Sequence, residues 1–343
     1  MRELPVSVAD PALPGDAAFA VDARVIALGG GRATLRGHLA IARLDHWIKN
    51  VFVLPGFFLA ILLGKYQVRA DLVPRLLIGM LAIGLVASSN YTLNEILDAP
   101  YDRTHPTKRR RPVASGLVNV PLGYLQWIAL AAVGGALGVR MGREFFAALS
   151  ALWIMGIVYN VRPLRSKDVP YLDVLSEAIN NPIRLAAGWY LVAAHLLPPT
   201  ALLLSYWFVG CYFMAIKRFS EIRQLSSDQR RQYRRSLACF TEDTILVSVV
   251  FYASAAMLFF GAFLMRYRLE LVLSFPFVAV VMAIYLSIAF RPDSAAQNPE
   301  KLYREPWLML SVAASAAAML ALLYFDMPWL RNMFPPTAIG PVQ

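Results

Sequence analysis

Three carboxylates and one amide lie close together in one short stretch of the chain. They are Asn94, Glu95, Asp98 and Asp102. In a helix, at about 100° per residue, Asn94, Asp98 and Asp102 fall within about 80° of one another and Glu95 lies about 20° further, provided that the helix continues through Pro100. Hard oxygen ligands of this kind suit Mg²⁺, which usually keeps several waters and takes one or two carboxylates together with substrate phosphates. The four residues are therefore predicted to be both the metal ligands and the catalytic residues.

A cluster of cations follows these carboxylates, and it contains Arg103, Lys108, Arg109 and Arg111. Carboxylates beside cations can hold a metal ion and a polyphosphate together. The alternative is that the acids and bases neutralise one another at a membrane interface. Because ionisable groups on a membrane helix are functional candidates by default, the pattern favours a substrate-binding role for the cations.

Two more polar groups interrupt apolar parts of the chain further on. The first shares one helical face about 100° wide and consists of Asp173, Glu177, Asn180, Asn181 and Arg184. The second consists of Lys217, Arg218 and Glu221. The first group is either a polar network between helices or part of a substrate site, and Lys217 either pairs with Glu221 or binds an anion. The residues alone leave both choices open.

The elements that must carry these residues are strongly apolar. Of 343 residues, 58% are hydrophobic and 16% are charged, whereas about a quarter of an average soluble domain is charged. Apolar spans of about 20 residues are typical of membrane helices. Nine such spans are predicted, over residues 51–64, 72–97, 118–139, 144–160, 171–194, 199–217, 242–265, 269–290 and 308–325. The chain is therefore predicted to be an all-α integral membrane protein with about nine transmembrane helices.

Lys and Arg are most frequent in the segments that lie on the same side of these spans as the amino terminus. The positive-inside rule therefore places the amino terminus and all the polar motifs on the cytoplasmic side of the plasma (inner) membrane. Residues 1–36 are expected to be a flexible cytoplasmic tail, 37–330 the transmembrane domain and 331–343 a short tail. The net charge of +11 is assigned to cytoplasmic loops, so no nucleic-acid partner is expected.

The acidic stretch resembles the NDxxDxxxD motif of the UbiA superfamily of membrane transferases, with Glu95 where the family usually has Asp. A Lys-x-x-Arg-Pro sequence after the motif, formed by Lys108, Arg111 and Pro112, is also similar to that family. The resemblance covers most of residues 40–325. It implies a UbiA-like bundle of about nine helices, active loops on the cytoplasmic side and Mg²⁺ as the cofactor.

Within the superfamily, the chain is most similar to the decaprenyl-phosphate phosphoribosyltransferase branch. The stretches that carry this similarity are Arg43 with Trp47-Ile48-Lys49-Asn50 and Pro55, His105 to Arg109 with Arg111-Pro112, Asp173 with Arg184, and Lys217-Arg218 with Glu221. Classical members have a second Asp-rich DxxxD motif near the end of helix 6 for a second Mg²⁺, and this chain has Lys217 and Glu221 there instead. After Tyr159 it has Pro163 where the family pattern Tyr-x-x-x-Lys has lysine.

The resemblance implies transfer of a phosphoribosyl group from phosphoribosyl pyrophosphate, a Mg²⁺-bound diphosphate donor, to a polyprenyl phosphate lipid. The pyrophosphate would be stabilised by Lys108, Arg109 and Arg111. The lipid phosphate would be received by Lys49, Lys217 and Arg218, and the substrate-binding set is completed by Arg103, Tyr159, Asp173, Arg184 and Glu221. The alternative is a prenyltransferase that moves a prenyl group from its diphosphate to an aromatic or other small acceptor. A lipid transporter is less favoured, because the polar motifs lie towards one membrane face rather than at the midplane.

Overall fold

The computed structural model describes residues 33–64, 66–67, 69–103, 108–225, 230, 235–292, 294–297 and 299–334. No β-strand occurs among these residues, so the predicted all-α class is confirmed. The first helix begins at Leu35, close to the predicted end of the amino-terminal tail. The rest of the two predicted tails, residues 1–32 and 335–343, lies outside the described residues.

The helices of the described residues are numbered in chain order. They are α1 (Leu35–Ile41), α2 (Leu54–Gly64), α3 (Leu72–Asp102), α4 (Val120–Met141), α5 (Arg143–Asn160), α6 (Leu172–Ala178), α7 (Asn180–Tyr190), α8 (Thr200–Gln224), α9 (Arg235–Ala238), α10 (Glu242–Tyr267), α11 (Phe275–Ala289), α12 (Pro306–Tyr324) and α13 (Pro328–Met333). A 3-10 segment, Leu44–Val53, leads directly into α2, and another, Leu269–Ser274, leads into α11. Helix α3 continues through Pro100, as the arrangement of the acidic motif requires.

Seven helical stretches of the described residues are long and apolar enough to cross a membrane. They are Leu35–Gly64, Leu72–Asp102, Val120–Met141, Thr200–Gln224, Glu242–Tyr267, Leu269–Ala289 and Pro306–Tyr324. The chain is an integral membrane protein, but the count of nine spans is not confirmed.

Two predicted spans, 144–160 and 171–194, are not among these seven stretches, and each has a physical reason. Helix α5 has only 18 residues, and its first turn contains the charged residues Arg143 and Glu144. The span predicted over 171–194 is divided at Ile179 into α6 and α7. Pro182 has no N–H to donate to the carbonyl of Ala178 and its ring crowds that carbonyl, so the first helix ends there.

The helices pack around two main apolar cores. One core lies between α2, α3, α5 and α7, and the other lies between α6, α8, α10 and α11. Helices α2 and α7 cross at very short range, because a Cβ atom added at Gly56 would lie 1.9 Å from the Leu185 carbonyl oxygen. A Cβ atom at Gly188 would likewise lie 2.0 Å from the Val53 carbonyl oxygen. Only glycine fits at these two positions.

The polar segments of several elements come together at one end of this bundle. These are the end of α3, the end of α5 with the loop that follows it, the start of α6, and the end of α8. The 3-10 segment Leu44–Val53 packs against α3 and α7 beside them. The fold therefore brings residues from five separate parts of the sequence to one site.

Candidate active site

Asp98, near the end of α3, is held by two cations from the loop that follows α5. Its Oδ1 atom accepts hydrogen bonds from Lys167 Nζ at 2.5 Å and from Arg165 Nη2 at 3.1 Å. Asn94 Nδ2 donates to Asp98 Oδ2 at 3.2 Å and to Asn160 Oδ1 at 2.5 Å. Lys167 Nζ also donates to Asn160 Oδ1, at 2.8 Å. The loop after α5 is thus bonded directly to the acidic motif.

Asp102 and Glu95 have partners on a different segment, the one that follows α3. Arg111 Nη1 donates to Asp102 Oδ2 at 2.7 Å, and the Val113 N–H donates to Glu95 Oε1 at 3.3 Å. Burial disfavours the charged guanidinium, but the carboxylates of Asp102, Glu95 and Asp98 together outweigh this effect and raise the pKa of Arg111 above its usual value. The four motif side chains therefore divide between two sets of partners.

The predicted Mg²⁺ site can be tested against these contacts. Among the described residues, no group of three His, Cys, Asp or Glu side chains is arranged to hold a metal ion by itself. Asp98 and Asp102 nevertheless supply hard carboxylate oxygens, and each one is paired with a cation. A Mg²⁺–diphosphate complex would bring a new cation for the carboxylates and new anionic oxygens for the displaced cations. The donor set therefore fits Mg²⁺ bound together with a diphosphate.

A second ionic cluster surrounds Arg218 on α8, whose side chain is only 2% exposed. Arg218 Nε donates to Asp173 Oδ2 at 2.8 Å, and Arg218 Nη1 donates to Glu221 Oε2 at 2.7 Å. Glu177 Oε2 lies 3.7 Å from Arg218 Nη2 and accepts a hydrogen bond from the Tyr159 hydroxyl at 2.8 Å. Arg218 is therefore the shared cation of three carboxylates.

Lys217, the neighbour of Arg218 on α8, differs from it in its ion-pair partners. Within the described part of the chain, neither Lys217 nor Lys49 has an ion-pair partner within 4.0 Å, and both side chains are half-buried. Both lysines lie near enough to Glu177 to interact with its charge. Arg184 faces the same segment, because its Nε atom donates to Asn50 Oδ1 at 3.4 Å. Lys217, Lys49 and Arg184 are therefore candidates for binding an anion.

The cations in the segment after α3, which were predicted to bind substrate, have different contacts in the folded protein. Arg111 contacts the acidic motif, whereas Arg103 Nε donates to the Ala114 carbonyl oxygen at 3.2 Å and so braces the segment. Lys108 lies in a 3-10 turn beside Arg111, and Arg109 is exposed in the same turn. The assignment of each cation to substrate stays a prediction.

Lys167, Arg165 and Asn160 at the acidic motif were not among the predicted site residues. Lys167 follows Tyr159 by eight residues rather than the four of the family pattern, so a search for that spacing does not find it. Arg165 has a positive φ of 22°, an uncommon conformation for a residue with a side chain, and sits at the start of the 3-10 turn Ser166–Asp168. The concentration of three cations in this short loop was the available signal.

The described residues thus form an all-helical membrane bundle with paired acids and cations at one end. A model of the UbiA prenyltransferase family matches residues 52–312. The chain belongs to this family.

Individual proteins are also similar to this chain. Nodulation protein NoeC of Azorhizobium caulinodans is 30% identical over 187 residues, which cover 54% of this chain and 57% of NoeC. Decaprenyl-phosphate phosphoribosyltransferase of Mycolicibacterium smegmatis is 28% identical over 242 residues, which cover 68% of this chain and 71% of that protein. The match to NoeC thus extends over little more than half of that protein's length.

A solved structure has the same fold. A UbiA homologue from Archaeoglobus fulgidus, bound to GPP and Mg²⁺, superposes with a TM-score of 0.64 at 22% sequence identity. The superposition covers 84% of this chain and all of that chain. At this identity the likeness establishes the fold and not the substrate.

Proposed function

We propose that this protein transfers a phosphoribosyl group from phosphoribosyl pyrophosphate to a polyprenyl phosphate. The observation that carries the proposal is the charge arrangement at the end of α8. The carboxylates there, Asp173 and Glu221, are bonded to the buried Arg218, while Lys49 and Lys217 beside them have no ion-pair partner within 4.0 Å among the described residues. A region of this kind suits the phosphate of an anionic acceptor better than a second metal ion. The relatives named as decaprenyl-phosphate phosphoribosyltransferases support the same reaction.

On the donor side, Asp98 and Asp102 would hold Mg²⁺, with Asn94 and Glu95 as ligands or as groups that orient it through water. When bound, Mg²⁺ neutralises charge on the diphosphate and so makes it a better leaving group. Lys167 and Arg165, released from Asp98, would donate to the diphosphate oxygens together with the cations after α3. These groups stabilise the negative charge that develops on pyrophosphate as it leaves.

On the acceptor side, Lys49, Lys217 and Arg184 would bind the lipid phosphate. A phosphate oxygen of the acceptor attacks C1 of the ribose, the bond between C1 and the diphosphate oxygen breaks, and pyrophosphate leaves with the bonding electrons. A phosphate monoester is already ionised at neutral pH, so the attack needs little help from a base. We assign Arg218 and its carboxylate partners to positioning Lys217 on α8. The prenyl chain would extend between apolar helices into the lipid, with the site on the cytoplasmic face of the plasma (inner) membrane.

The experiment supplies membranes that contain the protein with Mg²⁺, polyprenyl phosphate and ribose-labelled phosphoribosyl pyrophosphate. Label that becomes extractable into organic solvent measures transfer, and Asp98→Asn is the control. We expect lipid-borne label with the parent protein and none with the variant. If no label appears, and a prenyl diphosphate is instead consumed with an aromatic acceptor, the protein is a prenyltransferase and the proposal is wrong.

A further inference from the structure

A surface cavity of about 730 Å³, wide open to the outside, lies beside the acidic motif on the side of the segment that follows α3. Five cations line it, and they are Arg36, Arg43, Lys108, Arg110 and Arg111. Among the described residues, two carboxylates line it, Asp45 and Glu95. The lining therefore carries a formal excess of positive charge, which favours an anionic occupant.

The two carboxylates of the cavity already have partners. Glu95 accepts the Val113 N–H at 3.3 Å, and both Asp45 oxygens lie 3.4 Å from Arg43 nitrogens. By contrast, Arg36 has no ion-pair partner within 4.0 Å in the part of the chain that the structure describes, and the same holds for Arg110. These two arginines are therefore able to bind a ligand without breaking an existing ion pair.

The cavity is held in shape by the anchoring of α1. The Thr34 N–H donates to the Leu117 carbonyl oxygen at 3.0 Å, and Gln126 Nε2 donates to the His38 carbonyl oxygen at 2.9 Å. A Cβ atom at Gly37 would lie 2.3 Å from the Leu117 carbonyl oxygen. Helix α1 therefore packs directly on the segment between α3 and α4, which contains Leu117. Arg36 is thus presented by a fixed helix, so its backbone needs little ordering when a ligand binds.

Two residues connect the cavity to the acidic motif. Arg111 lines the cavity and also donates to Asp102 at 2.7 Å, and Glu95 belongs to the motif itself. A ligand that places a diphosphate at Asp98 and Asp102 could therefore extend a second anionic group into the cavity. Phosphoribosyl pyrophosphate has such a group, the phosphate monoester on C5 of the ribose, whereas a prenyl diphosphate has none.

We propose that this cavity is the binding site for the 5-phosphate of the donor and that it selects a phosphoribosyl donor over a prenyl diphosphate. The inference rests on the proposed function for the identity of the donor. It assigns to Arg36 and Arg110, which lie outside the acidic motif in sequence, a role in substrate specificity.

The first test measures the binding of ribose 5-phosphate to the purified protein in detergent by calorimetry, without Mg²⁺ and without acceptor. We expect binding by the parent protein, and an affinity about 10- to 100-fold weaker in Arg36→Gln and in Arg110→Gln, because each loses a charge-assisted hydrogen bond. Arg36→Lys should recover part of the affinity. Arg304→Gln, which removes an exposed arginine outside the cavity, is the matched control and should bind as the parent does. Absence of binding by the parent, or equal binding by all variants, would overturn the proposal.

The second test separates this proposal from the proposed function. In transfer assays, Arg36→Gln should raise the KM for phosphoribosyl pyrophosphate and leave the KM for polyprenyl phosphate unchanged. If the KM for the lipid rises instead, the cavity binds the lipid phosphate, and the assignment to the donor is wrong. If the variants keep the parental KM for both substrates, the transfer reaction stands and the cavity assignment fails. If ribose 5-phosphate binds as expected but no phosphoribosyl group is transferred, the cavity remains a phosphate monoester site and the proposed function fails.

Discussion

Replacing Arg218 by methionine would leave three carboxylates without the cation that they share. Asp173 is fully buried and would lose its 2.8 Å hydrogen bond from Arg218 Nε, while the Ser236 hydroxyl would still donate to it at 3.3 Å. Glu221 is 9% exposed and would lose a 2.7 Å hydrogen bond. Methionine has a similar length and no charge, so the change removes the ion pairs and little of the packing.

The magnitude follows from the burial of these charges. Removing one partner of a buried ion pair costs about 3–5 kcal/mol, because an uncompensated charge is left in the interior. Glu177, at 3.7 Å and with a side chain 28% exposed, adds little to this cost. For a chain of this length, the loss corresponds to an apparent Tm that is lower by roughly 4–7 °C.

The assay is thermal unfolding in detergent at one fixed scan rate, since membrane proteins often unfold irreversibly. Lys217→Met is the matched control, because it removes a cation of the same helix that has no ion-pair partner within 4.0 Å among the described residues. Lys217→Met should unfold close to the parent temperature. The double variant Arg218→Met with Asp173→Asn should recover part of the loss, since the two residues are directly coupled. Equal unfolding temperatures for Arg218→Met and Lys217→Met would refute the reasoning.

Three further predictions concern the site and the packing. Asp98→Asn should abolish transfer while leaving the protein folded, and retained activity in detergent extracts would remove the metal assignment. Chelation of Mg²⁺ should stop turnover and readdition of Mg²⁺ should restore it, whereas turnover in the presence of excess chelator would contradict a Mg²⁺-dependent donor site. Gly56→Leu should reduce the yield of folded protein, because its side chain would meet the Leu185 carbonyl at the crossing of α2 and α7; normal yield and unfolding temperature would show that the helices can separate there.

Helix content, membrane insertion and the acidic motif could be predicted from the sequence, because each depends on residues that are close together in the chain. Hydropathy over about 20 residues identifies a membrane span, and helical periodicity aligns Asn94, Asp98 and Asp102 on α3. The break between α6 and α7 was harder to predict from the sequence. The sequence contains Pro182, yet a proline kinks some membrane helices and ends others, depending on what the neighbouring helices supply to the freed carbonyls.

Only the tertiary structure decided which charges meet. Asp98 is bonded to Lys167, 69 positions further along the chain, and Asp173 to Arg218, 45 positions further. The cavity likewise combines Arg36 from α1 with Arg110 from the segment after α3. Periodicity fixes the face of a helix on which a residue lies, but it contains no information about which other element will pack against that face. That choice depends on how the helices cross and how the loops close, and it is the reason why the motif was visible in the sequence while its partners were not.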